Sequence, residues 1–162
     1  MLTRPEPAFE QCKAAKRVFK AMVSEGRDRL DPADSRLLET EVYCAMGEAL
    51  LALKEHEEAG KALGRAREGL AQSTPQNEEH GQLEQQTIHA YTTLRRRVQE
   101  ASAMVCWKIG DLDAAAQFLA DAVATVEAAA GAGAAELIVL RRHQGEWTVE
   151  ARRGAGTGNA CP

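Results

Sequence analysis

The side chains able to do chemistry are scattered along the chain. Four histidines occur, His56, His80, His89 and His143. None has a second histidine or a cysteine at ligand spacing, and "HEEAG" at His56 lacks the closing histidine of a zinc-protease helix. Four cysteines, Cys12, Cys44, Cys106 and Cys161, form no CxxC pair. Cys12, Cys44 and Cys106 read as small buried hydrophobes of a reducing compartment. Cys161 is followed only by Pro162, whereas a prenyl anchor needs a cysteine with three residues after it. The glycine-spaced strings "GAGAAELIVL" and "RRGAGTGN" lack the strand, helix and Lys-Ser/Thr context of a phosphate loop. Ser24, Ser35, Ser73 and Ser102 have no nucleophile-elbow surround. These patterns predict no catalytic residue, no metal ligand and no cofactor. The enzymatic alternative, a small metal-dependent helical domain, requires His89, Glu84 and distant carboxylates to converge.

Charge narrows the partners. The formal net charge is −4 and the pI about 5.6, which disfavours general nucleic-acid binding. The densest basic run is Arg95–Arg97, with further pairs at 141–142 and 152–153. It reads either as helix surface offset by Glu84 and Glu100, or as a docking site for an acidic peptide or RNA. No apolar run reaches the length of a membrane span, and "MLTRPEPAFEQ" has no apolar core after its charge. A cytoplasmic, membrane-free protein is expected.

The elements that must position these groups are helices. The chain has 162 residues and is rich in Ala, Glu, Leu, Arg and Gln, which suits one mainly all-α domain. "EPAFEQCKAAKRVFKAMVSEG" places Phe9, Cys12, Val18, Phe19, Met22 and Val23 on one face of a helix with a basic outer side. Asp31 as N-cap and Pro32 at the first position open a second helix that runs to Leu53. A third spans about 57–71, and "STPQNEEHG" is the clearest loop. A long helix over 82–109 carries Leu83, Thr87, Tyr91, Leu94, Val98, Ala101, Val105 and Ile109 in line. Gly110 caps it, and a fifth helix closes at Gly131. "ELIVLRRHQGEWTVEARR" then reads as a β-hairpin turning at "HQGE", the rival being a short capping helix from Ala134 to Gln144 stopped by Gly145. The expected organisation is therefore a helical domain over 1–131, antiparallel hairpins of about five helices in all, a β-hairpin or capping segment over 132–153, and a tail over 154–162.

Small residues interrupt the helices where leucine would bury more area. Tyr43, Met46, Gly47 and Leu50 in one helix, with Ala59, Leu63 and Ala66 in the next, would let two antiparallel helices approach closely. This pattern resembles the tetratricopeptide repeat, which keeps small residues at such crossings. A second, more divergent copy runs through Ala103, Cys106, Ala115, Leu119 and Ala122. It lies beyond the family's period of about 34 residues, the excess falling in the loop and the lengthened helix. The resemblance implies a protein–protein interaction module, an adaptor, co-chaperone or regulatory domain, with a peptide or partner helix held against the inner faces of the first helices. Those faces fall on Glu41, Cys44, Glu48, Leu51 and Ala52, and on Arg97, Glu100, Met104, Trp107 and Lys108. Glu41, Glu48, Arg97, Glu100, Met104, Trp107 and Lys108 are the expected partner-binding residues, with Trp107 either an anchor at the edge of a charged face or core packed under the C-terminal hairpin. Cys44 and Glu48 stand where chaperone-binding members carry Lys and Asn, so the carboxylate clamp of those members is not expected. A self-assembling subunit, with a homodimer as its simplest form, is the remaining alternative.

Overall fold

The structure is a computed structural model that describes residues 32–73, 82–130 and 135–156, together with Pro7, Glu10, Lys13, Ala14, Arg17 and Ala21. Five α-helices occur in the three continuous stretches: α1 Pro32–Ala52, α2 His56–Gln72, α3 Gln82–Ile109, α4 Leu112–Ala130 and α5 Ala135–Gly156. The six residues described ahead of Pro32 are also helical. The apolar face expected over 6–26, the Asp31 cap, the loop at 74–81 and residues 157–162 lie outside the described residues. No described helix is long and apolar enough to cross a membrane.

Two antiparallel hairpins, α1–α2 and α3–α4, are closed by the same turn. At the first, Lys54 has φ 65°, and the Lys54 and Glu55 amides donate to the Leu51 and Leu50 carbonyls at 3.0 and 2.9 Å. At the second, Gly110 has φ 87°, and the Gly110 and Asp111 amides donate to the Trp107 and Cys106 carbonyls at 3.2 and 2.9 Å. Each is a Schellman motif, which satisfies the last carbonyls of a helix while reversing the chain. The next helix starts alike in both: the Ala59 amide donates to the Glu55 carbonyl and the Ala115 amide to the Asp111 carbonyl. The correspondence continues inward at constant spacing. Ala59, Leu63, Ala66 and Leu70 are buried in α2, as Ala115, Leu119, Ala122 and Val126 are in α4.

Gly47 explains the small residues of the first crossing. A Cβ built on it would lie 2.5 Å from Leu63 Cγ, so any side chain would push the hairpin apart. Gly69 plays the same part at the other end of the hairpin, where a Cβ would collide with the Thr40 hydroxyl. The core falls into three clusters. Leu50, Ala59, Leu63, Ala101 and Val105 form one; Cys44, Ala66, Leu70, Leu94 and Val98 a second; Ala103, Leu119, Val126, Leu137 and Leu140 a third. α3 packs on α1, α2 and α4, and α5 packs on α4.

The C-terminal segment corrects the sequence reading. Residues 135–156 form one helix rather than a β-hairpin, and no strand occurs among the described residues. The short alternative helix fails as well, because the helix passes through Gly145, whose side is open. Leu137 and Leu140 are both 2% exposed and Trp147 packs beside them, steps of three and seven residues that a helix puts on one face. Val149, which the alternation would have paired with Trp147, is 48% exposed. Arg142–Glu146 at 2.8 Å and Arg141–Glu127 at 2.5 Å fix the outer side and the seam with α4.

Candidate functional site

Glu41, Cys44 and Glu48 form a stripe along α1, and Arg97, Glu100 and Met104 form the equivalent stripe along α3. The hairpin packing sets these stripes side by side. Arg97 reaches across with both forks: Nε donates to Glu48 Oε1 at 3.1 Å and Nη2 to Oε2 at 2.7 Å. Glu41 Oε1 lies 3.9 Å from Arg97 Nη1. The two planar groups meet in the bidentate geometry that suits guanidinium and carboxylate. The hydrogen bonds it donates to Glu48 hold Arg97 above its ordinary pKa, against the opposing effect of desolvation.

Cys44 lies beneath this pair, fully buried, with its thiol 3.7 Å from Glu48 Oε1. Burial, and then the negative charge of Glu48, push its pKa up to about 12. A thiol so protonated is a packing group and a weak donor, not a nucleophile. Glu100 turns to its own helix and accepts from Arg96 Nη1 at 2.7 Å. Met104 is half-buried, and Lys108 is exposed at the end of α3. Leu51 packs on the first core cluster and Ala52 is exposed.

Trp107 departs from the stripe. Its ring stacks on Trp147 of α5, with centroids 5.0 Å apart and planes 12° from parallel. Trp147 in turn stacks on His143 at 6.2 Å. Both tryptophans of the chain thus share one stack, beside a small cleft of about 200 Å³ that includes Leu112, Ala115, Leu119 and Asp113. Of the expected partner-binding residues, the fold joins Glu41, Glu48 and Arg97, gives Glu100 to Arg96, and gives Trp107 to α5. The stack matches the alternative for Trp107, packing under the C-terminal segment, although the sequence does not single out Trp147 or His143 within that segment.

Among the described residues no three His, Cys, Asp or Glu side chains converge in a way that could hold a metal ion. His89 lines the groove between α3 and α4 together with Asp121. Ser102 Oγ is buried without a hydrogen-bond partner. No family model matches the chain, and comparison with curated proteins and with solved structures found no match.

Proposed function

We propose that the chain is a protein–protein interaction module of the tetratricopeptide kind, an adaptor or co-chaperone-like domain that takes a peptide or partner helix along the α1–α3 face. One observation carries this reading: the two hairpins repeat each other position for position. Lys54 and Gly110 occupy the same turn, and Ala59 with Ala115, Leu63 with Leu119 and Ala66 with Ala122 occupy the same core places. Repetition of this sort brings equivalent faces of successive first helices together, and such faces form the extended binding surfaces of repeat proteins. The helical α5, in place of a hairpin, packs on α4.

The chemistry of the face limits its ligand. Arg97 is already held by a bidentate carboxylate, so an incoming acid must displace Glu48 to use it. Glu41, Lys108 and the thioether of Met104 remain for a partner segment of mixed polarity. The test is capture from the source cell lysate on the immobilised chain, wild type against Met104→Arg and Lys108→Glu. Partners retained by wild type and weakened about tenfold or more by these rim changes, with an unchanged melting temperature, support the reading. Equal capture by all three baits refutes it.

A further inference from the structure

The arginine run at 95–97 divides in three. Arg96 is paired with Glu100 and Arg97 with Glu48. Arg95 is exposed and makes no ion pair or hydrogen bond among the described residues. It lines a cleft of about 740 Å³ between the N-terminal half of α3 and the C-terminal half of α4. Ala124, Ala128 and Ala129 of α4, all exposed, line the α4 side, and Ile88, 40% exposed, stands on the α3 side. Ile88, Thr92 and Arg95 on α3, and Asp121, Thr125 and Ala128 on α4, each follow three- and four-residue steps. They form two ridges with a groove between them, and small residues in such a groove admit a third helix at the short end of the usual interaxial range.

We propose that this groove docks an acidic amphipathic helix of a partner protein, with its apolar side chains on the alanines and a carboxylate on the Arg95 guanidinium. Charge selects the occupant. Arg95 and His89 stand together on the α3 wall, and Asp121 on the α4 wall accepts from Gln117 at 2.9 Å instead of pairing with Arg95. A free guanidinium beside apolar side chains is a bidentate receptor for a carboxylate. The chain's own segment over 6–26 carries Lys13, Lys16, Arg17 and Lys20 against Glu6, Glu10 and Glu25, a net positive charge of the same sign as Arg95. RNA is disfavoured because, among the described residues, the groove offers a single unpaired arginine, and its aromatic, Tyr91, commits its hydroxyl to the Leu70 carbonyl at 3.2 Å. Arg95 lies roughly 200° around α3 from Arg97, so this surface is separate from the α1–α3 face.

The test uses a random displayed library of peptides of about 16 residues, long enough for four helical turns, selected on the immobilised full chain. Enriched peptides are then titrated by fluorescence anisotropy. The expected winners carry apolar residues at three- and four-residue spacing and at least one Asp or Glu. Their affinity should fall about tenfold or more with Arg95→Glu, and likewise with Ala128→Arg, which fills the groove, while both variants keep the wild-type melting temperature. Winners that lack a carboxylate, or that bind Arg95→Glu as well as wild type, overturn the proposal, as does a library that yields none. Peptides lost on Lys108→Glu but kept by Arg95→Glu belong to the α1–α3 face and overturn it while leaving that reading intact. Arg95-dependent binding of oligouridine tighter than any peptide would give the groove to nucleic acid. A dimer that Ala128→Arg converts to monomer would give it to a second copy. Either result overturns the proposal.

Discussion

Replacing Gly47 by alanine should destabilise the protein, although alanine is the better helix former. A Cβ at this position would meet Leu63 Cγ at 2.5 Å and Cδ2 at 2.7 Å. Leu63 is 1% exposed and enclosed by Leu50, Ala59, Ala62, Ala101 and Val105, so it cannot swing away without moving the cluster. Overpacking of this kind costs about 1–3 kcal/mol, while the gain in helix propensity offsets about 0.8–1.0 kcal/mol. The expected net loss is about 0–2 kcal/mol for Gly47→Ala, and about 3 kcal/mol or more for Gly47→Leu. Gly64, in the middle of α2, supplies the control. A Cβ there meets nothing within 4 Å, so Gly64→Ala keeps the propensity gain and should stabilise by about 0.5–1 kcal/mol. Urea unfolding followed by far-ultraviolet circular dichroism gives both values. A second arm removes the obstacle. Leu63→Ala alone should lose about 2–5 kcal/mol, and adding Gly47→Ala to it should recover part of that, since the new methyl enters the vacated space. If Gly47→Ala stabilises as much as Gly64→Ala, the α1–α2 crossing is not set by this contact and the reasoning is refuted.

The Trp107–Trp147 stack should give an exciton-coupled circular dichroism feature that Trp107→Phe and Trp147→Phe each abolish. Trp107→Ala should lose about 2–3 kcal/mol, below the fully buried range because the ring is partly exposed; survival of the coupled bands in either Phe variant refutes the stack. Cys44 should resist iodoacetamide at pH 8 in the native state and label only on unfolding, while Cys106, whose pKa burial also raises but which is less enclosed, labels first. Because the folded pKa of Cys44 is raised, the unfolded chain releases that proton first. Its contribution is therefore intact below the unfolded value of 9.0 and falls as pH rises toward about 12, with a slope of about 1.4 kcal/mol per pH unit. Cys44→Ala should flatten this alkaline loss, and an unchanged slope would count against it. A double-mutant cycle on Arg97→Ala and Glu48→Ala should yield a coupling of about 0.5–1.5 kcal/mol, reduced from a buried pair by solvent, with side chains 33% and 39% exposed. A coupling indistinguishable from zero would mean the pair does not form.

Local signals carried much of this fold. Pro32 opened α1, "GDLD" separated α3 from α4, and the three- and four-residue apolar steps located both ends of α3, because these features act within a turn or two of chain. Gly47 could be read as a close crossing for the same reason. α5 could not. Its "ELIVL" run and Gly145 are locally ambiguous, and the decision falls to Leu137, Leu140 and Trp147 burying against α4 and Trp107, which no window of α5 contains. The site was legible as a stripe of residue types but not as contacts. Arg97 pairs with Glu48 far back in the chain rather than with a helical neighbour, while adjacent Arg96 does take the neighbour, Glu100. Three consecutive arginines with three different fates cannot be told apart without the helices that surround them.

α3 is the one helix with residues in all three core clusters: Ala101 and Val105, Leu94 and Val98, and Ala103. Its 28 residues make an unbroken rod about 42 Å long. Arg97 and Arg95 project from nearly opposite sides of that rod, so their positions are phased by one axle. Turning the helix to loosen Arg97 from Glu48 must also swing Arg95 across the α4 groove, and the reverse holds. A turn of α3 as one rigid rod would therefore move both surfaces at once, whereas a side-chain rearrangement on either side would leave the other in place.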